Sequence, residues 1–369
     1  MEILNSLNKY FLQLVRLGIG TSKDAKISND IDWAAMKALA DKQGLTAVIL
    51  DGVNEVLKSN CQLSSLNSQL KLSWIGEVMQ NYERRYDQYE NTISSLAGFY
   101  NQHGFKMMVL KGYACSLDWP NPKHRPCGDI DIWQFGKQRE ADTSLEAWFE
   151  VQGLKSKIDT GHHHHTVYGW QGFSVENHYD FINVHHHKSH VKLEKILKEL
   201  GKDDSHYVDI NGEKVYIPSP NLHALFLQKH MMLHFASTEL TLRQLLDWAF
   251  FVKRHGNDIN WKWLERILDE FGMTPAYNIF NAICVEDMGF DALSFPKREV
   301  DATLKDRVLH DILQPEFAEI QPSGFIPRIA FKFRRWKTNG WKNELCFKES
   351  MWSAFWSGVW GHLLKPKTI

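Results

Sequence analysis

Asp129 and Asp131 stand two residues apart in CGDIDIWQF (127–135), an alternating run of the kind that forms a half-buried strand. Side chains alternate across a strand, so Ile130 and Ile132 take one face and both carboxylates, with Trp133, take the other. Paired carboxylates on one face can hold one or two Mg²⁺ ions, which take hard oxygen ligands and keep positions for the oxygens of a substrate phosphate. A third carboxylate on a neighbouring strand would complete such a centre. The next strong alternating run, FSVENHYDFINV (173–184), offers Glu176 on its polar face, with Asp180 in reserve. His178, on that same face, could accept a proton or touch substrate.

An Asp-x-Asp by itself is a weak signal, since it also caps turns, but its flanks strengthen it. KMMVL (106–110) reads as a short buried strand that ends in Leu110-Lys111-Gly112. A glycine there lets backbone N–H groups approach an anion, and a following helix N-terminus adds its dipole. The loop PNPKHRP then leads into Gly128 and the aspartates. Lys111 and Arg125 could each neutralise triphosphate charge, and Gly112 and Gly128 complete the expected phosphate-binding set.

The elements that must position these residues fall into three stretches. Residues 1–103 read as helical: Trp33, Met36, Leu39 and Ala40 recur at helical spacing after Asp32, a plausible N-cap, and Gly104 stops a long helical run. Residues 104–219 read as a small α/β catalytic unit, with a hairpin at Asn211-Gly212. Helical spacing returns over 220–369, where His230/His234 and Arg243/Asp247 are i,i+4 pairs, and the end of the chain is basic and Trp-rich.

A formal net charge of -1 argues against a broad electropositive surface for duplex DNA. The five cysteines are scattered and never spaced as CxxC, which fits a reducing compartment and no structural zinc knot. Neither a signal peptide nor an apolar run of membrane-spanning length is evident, so the expected location is cytoplasmic. The histidine runs His162–His165 and His185–His187 read as polar loop ends. The tail interleaves Arg334, Arg335, Lys337 and Lys342 with Phe331, Phe333, Trp336 and Trp341, and then carries Trp352, Phe355, Trp356, Val359, Trp360 and Leu363. Such a stripe either packs on the body or makes a peripheral membrane or nucleic-acid contact; packing is the favoured reading.

Taken together, VLKGYACSLDWPNPKHRPCGDIDIW and the later VENHYDF resemble the uncharacterised nucleotidyltransferase-like group of the polymerase-β superfamily. DWAAMKALADKQGL, LRQLLDWAFF and NWKWLERILDEFG resemble that group's flanking helices. The resemblance implies an α+β fold, a minimal mixed sheet with helices flanked by N- and C-terminal helical regions. It also implies an enzyme that uses Mg²⁺ or Mn²⁺ to move a nucleoside monophosphate from an NTP, taken as ATP, to a hydroxyl on an unidentified small molecule or protein. Asp129, Asp131 and Glu176 then stand at the metal-binding carboxylates, and Lys111 and Gly112 at the phosphate loop, where the superfamily usually carries Gly-Ser. Two alternatives stay open: a catalytically silent nucleotide-binding regulator, and a His-rich metal-binding or membrane-peripheral interaction protein.

Overall fold

A computed structural model describes residues 4–58, 66–153, 158–161, 164–184, 188–297 and 299–347. His162, His163, His185–His187, Cys61 and the tail from 348 onward, with Trp352 through Leu363, lie outside the described residues.

The fold is mixed α+β: one six-stranded mixed sheet among many helices. The strands are β1 (Met108–Val109), β2 (Ile130–Trp133), β3 (His165–Trp170), β4 (Phe173–His178), β5 (Tyr207–Ile210) and β6 (Glu213–Tyr216). Their order across the sheet is β3-β4-β2-β1-β6-β5. β2 and β4 run parallel, and both hairpins, β3–β4 and β5–β6, are antiparallel. The second hairpin turns at Asn211 (φ 54) and Gly212 (φ 86), the two left-handed residues that an Asn-Gly hairpin turn requires.

Alternation along the strands sorts side chains between two cores. Met107, Val109, Ile130, Ile132 and Val175 join one core with Tyr89, Ile93, Leu96 and Tyr100 of the helix Arg85–Gln102. Burying each large aliphatic side chain there contributes roughly 1.5–3 kcal/mol. Met108, Leu110 and Trp133 face the other way, into a larger core made with the helices Pro220–Ser237 and Leu242–His255. That larger core also takes in the first three helices, Ser6–Gly18, Trp33–Gln43 and Thr46–Lys58, so the two ends of the chain share one interior. Gln43, 1% exposed, joins them: its amide donates to Ile312 O at 2.8 Å and accepts from Leu242 N at 2.8 Å.

Helix Arg85–Gln102, grouped with the N-terminal stretch by its sequence, packs on the sheet instead. It is reached without a break from Ser68–Val78 through a π-helical turn, Met79–Arg84. Strand β3 is a further departure, since its residues sit beside a histidine run that reads as loop; His165 is in fact a buried strand residue.

Candidate active site

β2 and β4 pair in parallel with Asp131 opposite Glu176. That register sets two carboxylates side by side on the face turned toward the helix Pro220–Ser237. His178, two residues on in β4, comes in from the same face, and ligand atoms of Asp131, Glu176 and His178 all lie within 4.8 Å of one another. Asp129 precedes the strand and is exposed, whereas Asp131 is 7% exposed.

Lys111 and His178 converge on a single oxygen of Asp131. Lys111 Nζ stands 2.7 Å from Oδ1 and His178 Nε2 2.8 Å from the same atom. Burial would raise the Asp131 carboxyl, but Lys111 and His178 outweigh it and hold the group far below the usual carboxylate range. Glu176 is also lowered, first by its contact with His178, whose Nε2 is 3.5 Å from Oε2. Asp129 moves the other way: partial burial, then the negative charges of Glu176 and Asp131, raise it. The three carboxylates therefore share one neighbourhood, and Lys111 with a protonated His178 offsets two of their three charges. The remaining excess, presented on carboxylate oxygens, fits a divalent cation of the Mg²⁺ or Mn²⁺ type.

The backbone explains why these residue types stand here. Lys111 has φ 38, a left-handed conformation that turns β1 directly into the helix Lys111–Ser116. For a side chain other than glycine this costs roughly 1–2 kcal/mol, so the surrounding packing must hold it. At Gly112 a Cβ would meet Tyr89 Oη at 2.6 Å, and that hydroxyl donates to Asp129 O at 2.9 Å. Gly112 is thus required by a packing contact that anchors the aspartate loop. Gly128 is different: nothing lies within 4 Å of its Cβ position.

The structure corrects two expectations. Arg125 is not free for a triphosphate. It is 5% exposed and forks onto Asp247, with Nε to Oδ1 at 2.8 Å and Nη2 to Oδ2 at 2.9 Å. Trp119 Nε1 also donates to Asp247 Oδ1, at 2.9 Å, so the loop before β2 is clamped to helix Leu242–His255. His178 is not placed as a proton acceptor. Its Nε2 meets Asp131 and its Nδ1 meets Asp180 O at 3.3 Å, so both ring nitrogens face acceptors. Burial lowers its pKa, but the hydrogen bonds to Asp131 and Glu176 win and raise it, favouring the imidazolium. Asp180, the reserve carboxylate, pairs with Lys198.

What the pair Arg243/Asp247 concealed is a surplus cation. With Asp247 occupied by Arg125, Arg243 reaches it only at 3.8 Å. Burial, and then the charge of Arg125, lower the Arg243 pKa. Its side chain crosses Gly44, the left-handed cap of helix Trp33–Gln43 (φ 66), where a Cβ would sit 3.1 Å from Arg243 Cδ. His230 and His234, joined through their Nε2 atoms at 3.2 Å, respond to both Lys111 and Arg243, and His230 responds also to Asp131. Lys111 and Arg243 are therefore the cations within electrostatic reach of this histidine pair, which burial keeps neutral. The i,i+4 spacing placed the histidines on one helical face; only the packing shows what that face meets.

Burial pushes His223 and His234 down to about 4 and His230 well below its ordinary value. Because the folded pKa is depressed, each contributes stability that is present above the unfolded value near 6.5 and lost as pH falls toward the folded one. His223 and His234 each account for up to about 3 kcal/mol across that window. Glu194, raised by burial to about 7, opposes them there, and Asp129 and Asp287, also raised, oppose them only toward its acidic end. His124 and His178, both raised, add stability that is lost only as pH rises above about 6.5. The melting temperature is therefore expected to fall between pH 6.5 and about 4.5. His223→Asn should flatten the dependence by about one proton; equal slopes in the two proteins would refute the assignment.

Residues 29–288 match the family described as uncharacterised nucleotidyltransferase. No curated protein matches the chain. A crystal structure of an antigenic nucleotidyltransferase-like protein from Paracoccidioides brasiliensis aligns at 13% identity with a TM-score of 0.35, over 56% of this chain and 94% of that one. That similarity is too low to bear on the arrangement of the site.

Proposed function

The chain belongs to the uncharacterised nucleotidyltransferase family, and from this premise we propose that it moves a nucleoside monophosphate from an NTP, with ATP as the first candidate, to an acceptor hydroxyl in a divalent-metal-dependent reaction. The observation that carries the proposal is the register of β2 against β4, which sets Asp131 beside Glu176 with Asp129 adjacent. Asp129, Asp131 and Glu176 would hold Mg²⁺ or Mn²⁺. When bound, such a cation neutralises triphosphate charge and lowers the pKa of the acceptor hydroxyl.

The protein's own groups supply the rest. Lys111, Arg243, His230 and His234 stand within electrostatic reach of one another and would grip the phosphate oxygens, the task that the sequence suggested for Arg125. His178, as imidazolium, fixes Asp131 and Glu176 relative to each other. Glu176 Oε1, the oxygen not turned toward His178, would take the acceptor's proton as its oxygen bonds to the α-phosphorus and pyrophosphate departs. A silent regulator gains no support from the pairing of Asp131 with Glu176 across β2 and β4.

The test is incubation of the full chain with Mg²⁺ or Mn²⁺, α- or γ-labelled ATP in parallel, and an extract as acceptor pool. Label is expected from the α-position only, and chelation should abolish it. Transfer from the γ-position would make the protein a kinase.

A further inference from the structure

The helix Phe325–Thr338 carries Arg328, Lys332, Arg334, Arg335 and Lys337, five cations and no acid, in a chain whose net charge is -1. It packs on the body through Phe331, 4% exposed, which meets Phe317 with ring centroids 5.2 Å apart. Its aliphatic residues do not follow Phe331 inward. Ile326 is 77% exposed, Ile329 52% and Phe333 49%, and Ala330 is exposed among them. At about 100° per residue these four fall within an arc of about 100°, roughly opposite Phe331. Lys332 flanks that arc and Lys337 stands at its C-terminal end, while Arg334, on the other flank, is paired with Glu319 at 2.6 Å. The favoured sequence reading, a basic aromatic stripe packed on the body, therefore holds for Phe331 and for Trp341, which meets Phe235 at 5.6 Å, but not for this face.

We propose that the outward face of helix Phe325–Thr338 docks the protein on an anionic phospholipid surface, with Ile326, Ile329 and Phe333 entering the headgroup–acyl boundary and the flanking cations meeting lipid phosphates. An apolar stripe bordered by Lys and Arg is the composition of a helix that lies in a membrane interface, its cations reaching along their own stems to the headgroups. Among the described residues no helix is long and apolar enough to cross a membrane, so the contact lies on the surface. Charge selects this occupant over the others. A two-fold dimer through this face would set Lys332 and Lys337 against their own copies. The chain's own segment 348–369 carries Lys348, Lys365 and Lys367 against Glu349, and so offers the flanking cations no counter-charge. Single-stranded nucleic acid would want successive aromatic platforms, where the stripe presents two isoleucines and a single Phe. The inference stands on this helix alone and does not depend on the transfer reaction.

The experiment is co-sedimentation of the full chain with phosphatidylcholine vesicles, with and without phosphatidylglycerol. Binding is expected only with phosphatidylglycerol and should fall on raising the salt. Ile329→Glu/Phe333→Glu should lower the bound fraction roughly ten-fold or more, with an unchanged melting temperature because both side chains face solvent. Lys332→Gln and Lys337→Gln should each weaken binding about five-fold. Failure to sediment with anionic vesicles, or sedimentation untouched by the double glutamate variant, overturns the proposal. So does a dimer in sedimentation equilibrium, or retention of labelled single-stranded RNA, that the same double variant abolishes.

Discussion

Replacing Glu176 with Gln is expected to lower α-label transfer by roughly 10²–10³-fold, the usual cost of removing one preorganised electrostatic group from a transition-state site. Glu176 is the better probe of the carboxylate centre because Asp131 has a second duty. Asp131 is 7% exposed and compensates both Lys111 and His178, so Asp131→Asn leaves two donors short of a counter-charge and confounds activity with stability. Glu176→Gln keeps the shape, removes one negative charge and leaves Asp131 to hold Lys111. The expected signature is a fall in kcat with a melting temperature near that of the parent, together with a higher Mg²⁺ requirement. Transfer at parental rates in Glu176→Gln would sink the assignment of this site.

The second large effect concerns stability. Asp247→Ala is expected to cost about 3–5 kcal/mol, because it strands the buried Arg125 guanidinium without a counter-charge. Trp119 Nε1 loses its acceptor in the same step, and Arg243 loses its distant partner. Arg125→Met/Asp247→Leu, which removes both charges and fills the space, should recover most of the loss, since replacing a buried pair by apolar groups is often close to neutral. Denaturant titration of the two variants measures this. The pair also separates the roles of the two arginines. Once folded, Arg125→Met/Asp247→Leu should leave the KM for ATP within a few-fold of the parent, whereas Arg243→Ala should raise it. A large KM effect confined to the Arg125 variant would restore the triphosphate role that its sequence position suggests.

The two effects are linked by one element. The helix Leu242–His255 begins at a capping box, in which Thr241 N donates to Gln244 Oε1 at 2.9 Å, and its first N–H is held by Gln43 from the N-terminal helices. Asp247 then clamps the loop that delivers Asp129 and Asp131, while Arg243, one turn earlier, is left beside the histidine pair. The carboxylates, the loop that carries them and Arg243 are thus referenced to a single helix start. A change at that start should perturb nucleotide binding and stability together.

Local rules determined much of this protein from the sequence. Period-two alternation put Asp131 and Trp133 on one face and Ile130 and Ile132 on the other, and the two cores take them up that way. Asn211-Gly212 specified a hairpin because few residue pairs accept two left-handed conformations. The i,i+4 spacing set His230 over His234. Strand β3 stayed hidden because its alternation begins inside a run of histidines, a residue type equally at home in loops. Tertiary structure alone decided the rest. The order β3-β4-β2-β1-β6-β5 is not the order of the chain, and the parallel register that faces Asp131 with Glu176 depends on that crossover. Arg125 and Arg243 are chemically alike in sequence, yet one is consumed by Asp247 and the other is not. A charged side chain's role depends on which counter-charge reaches it first, and contacts between residues more than a hundred positions apart leave no local pattern to read.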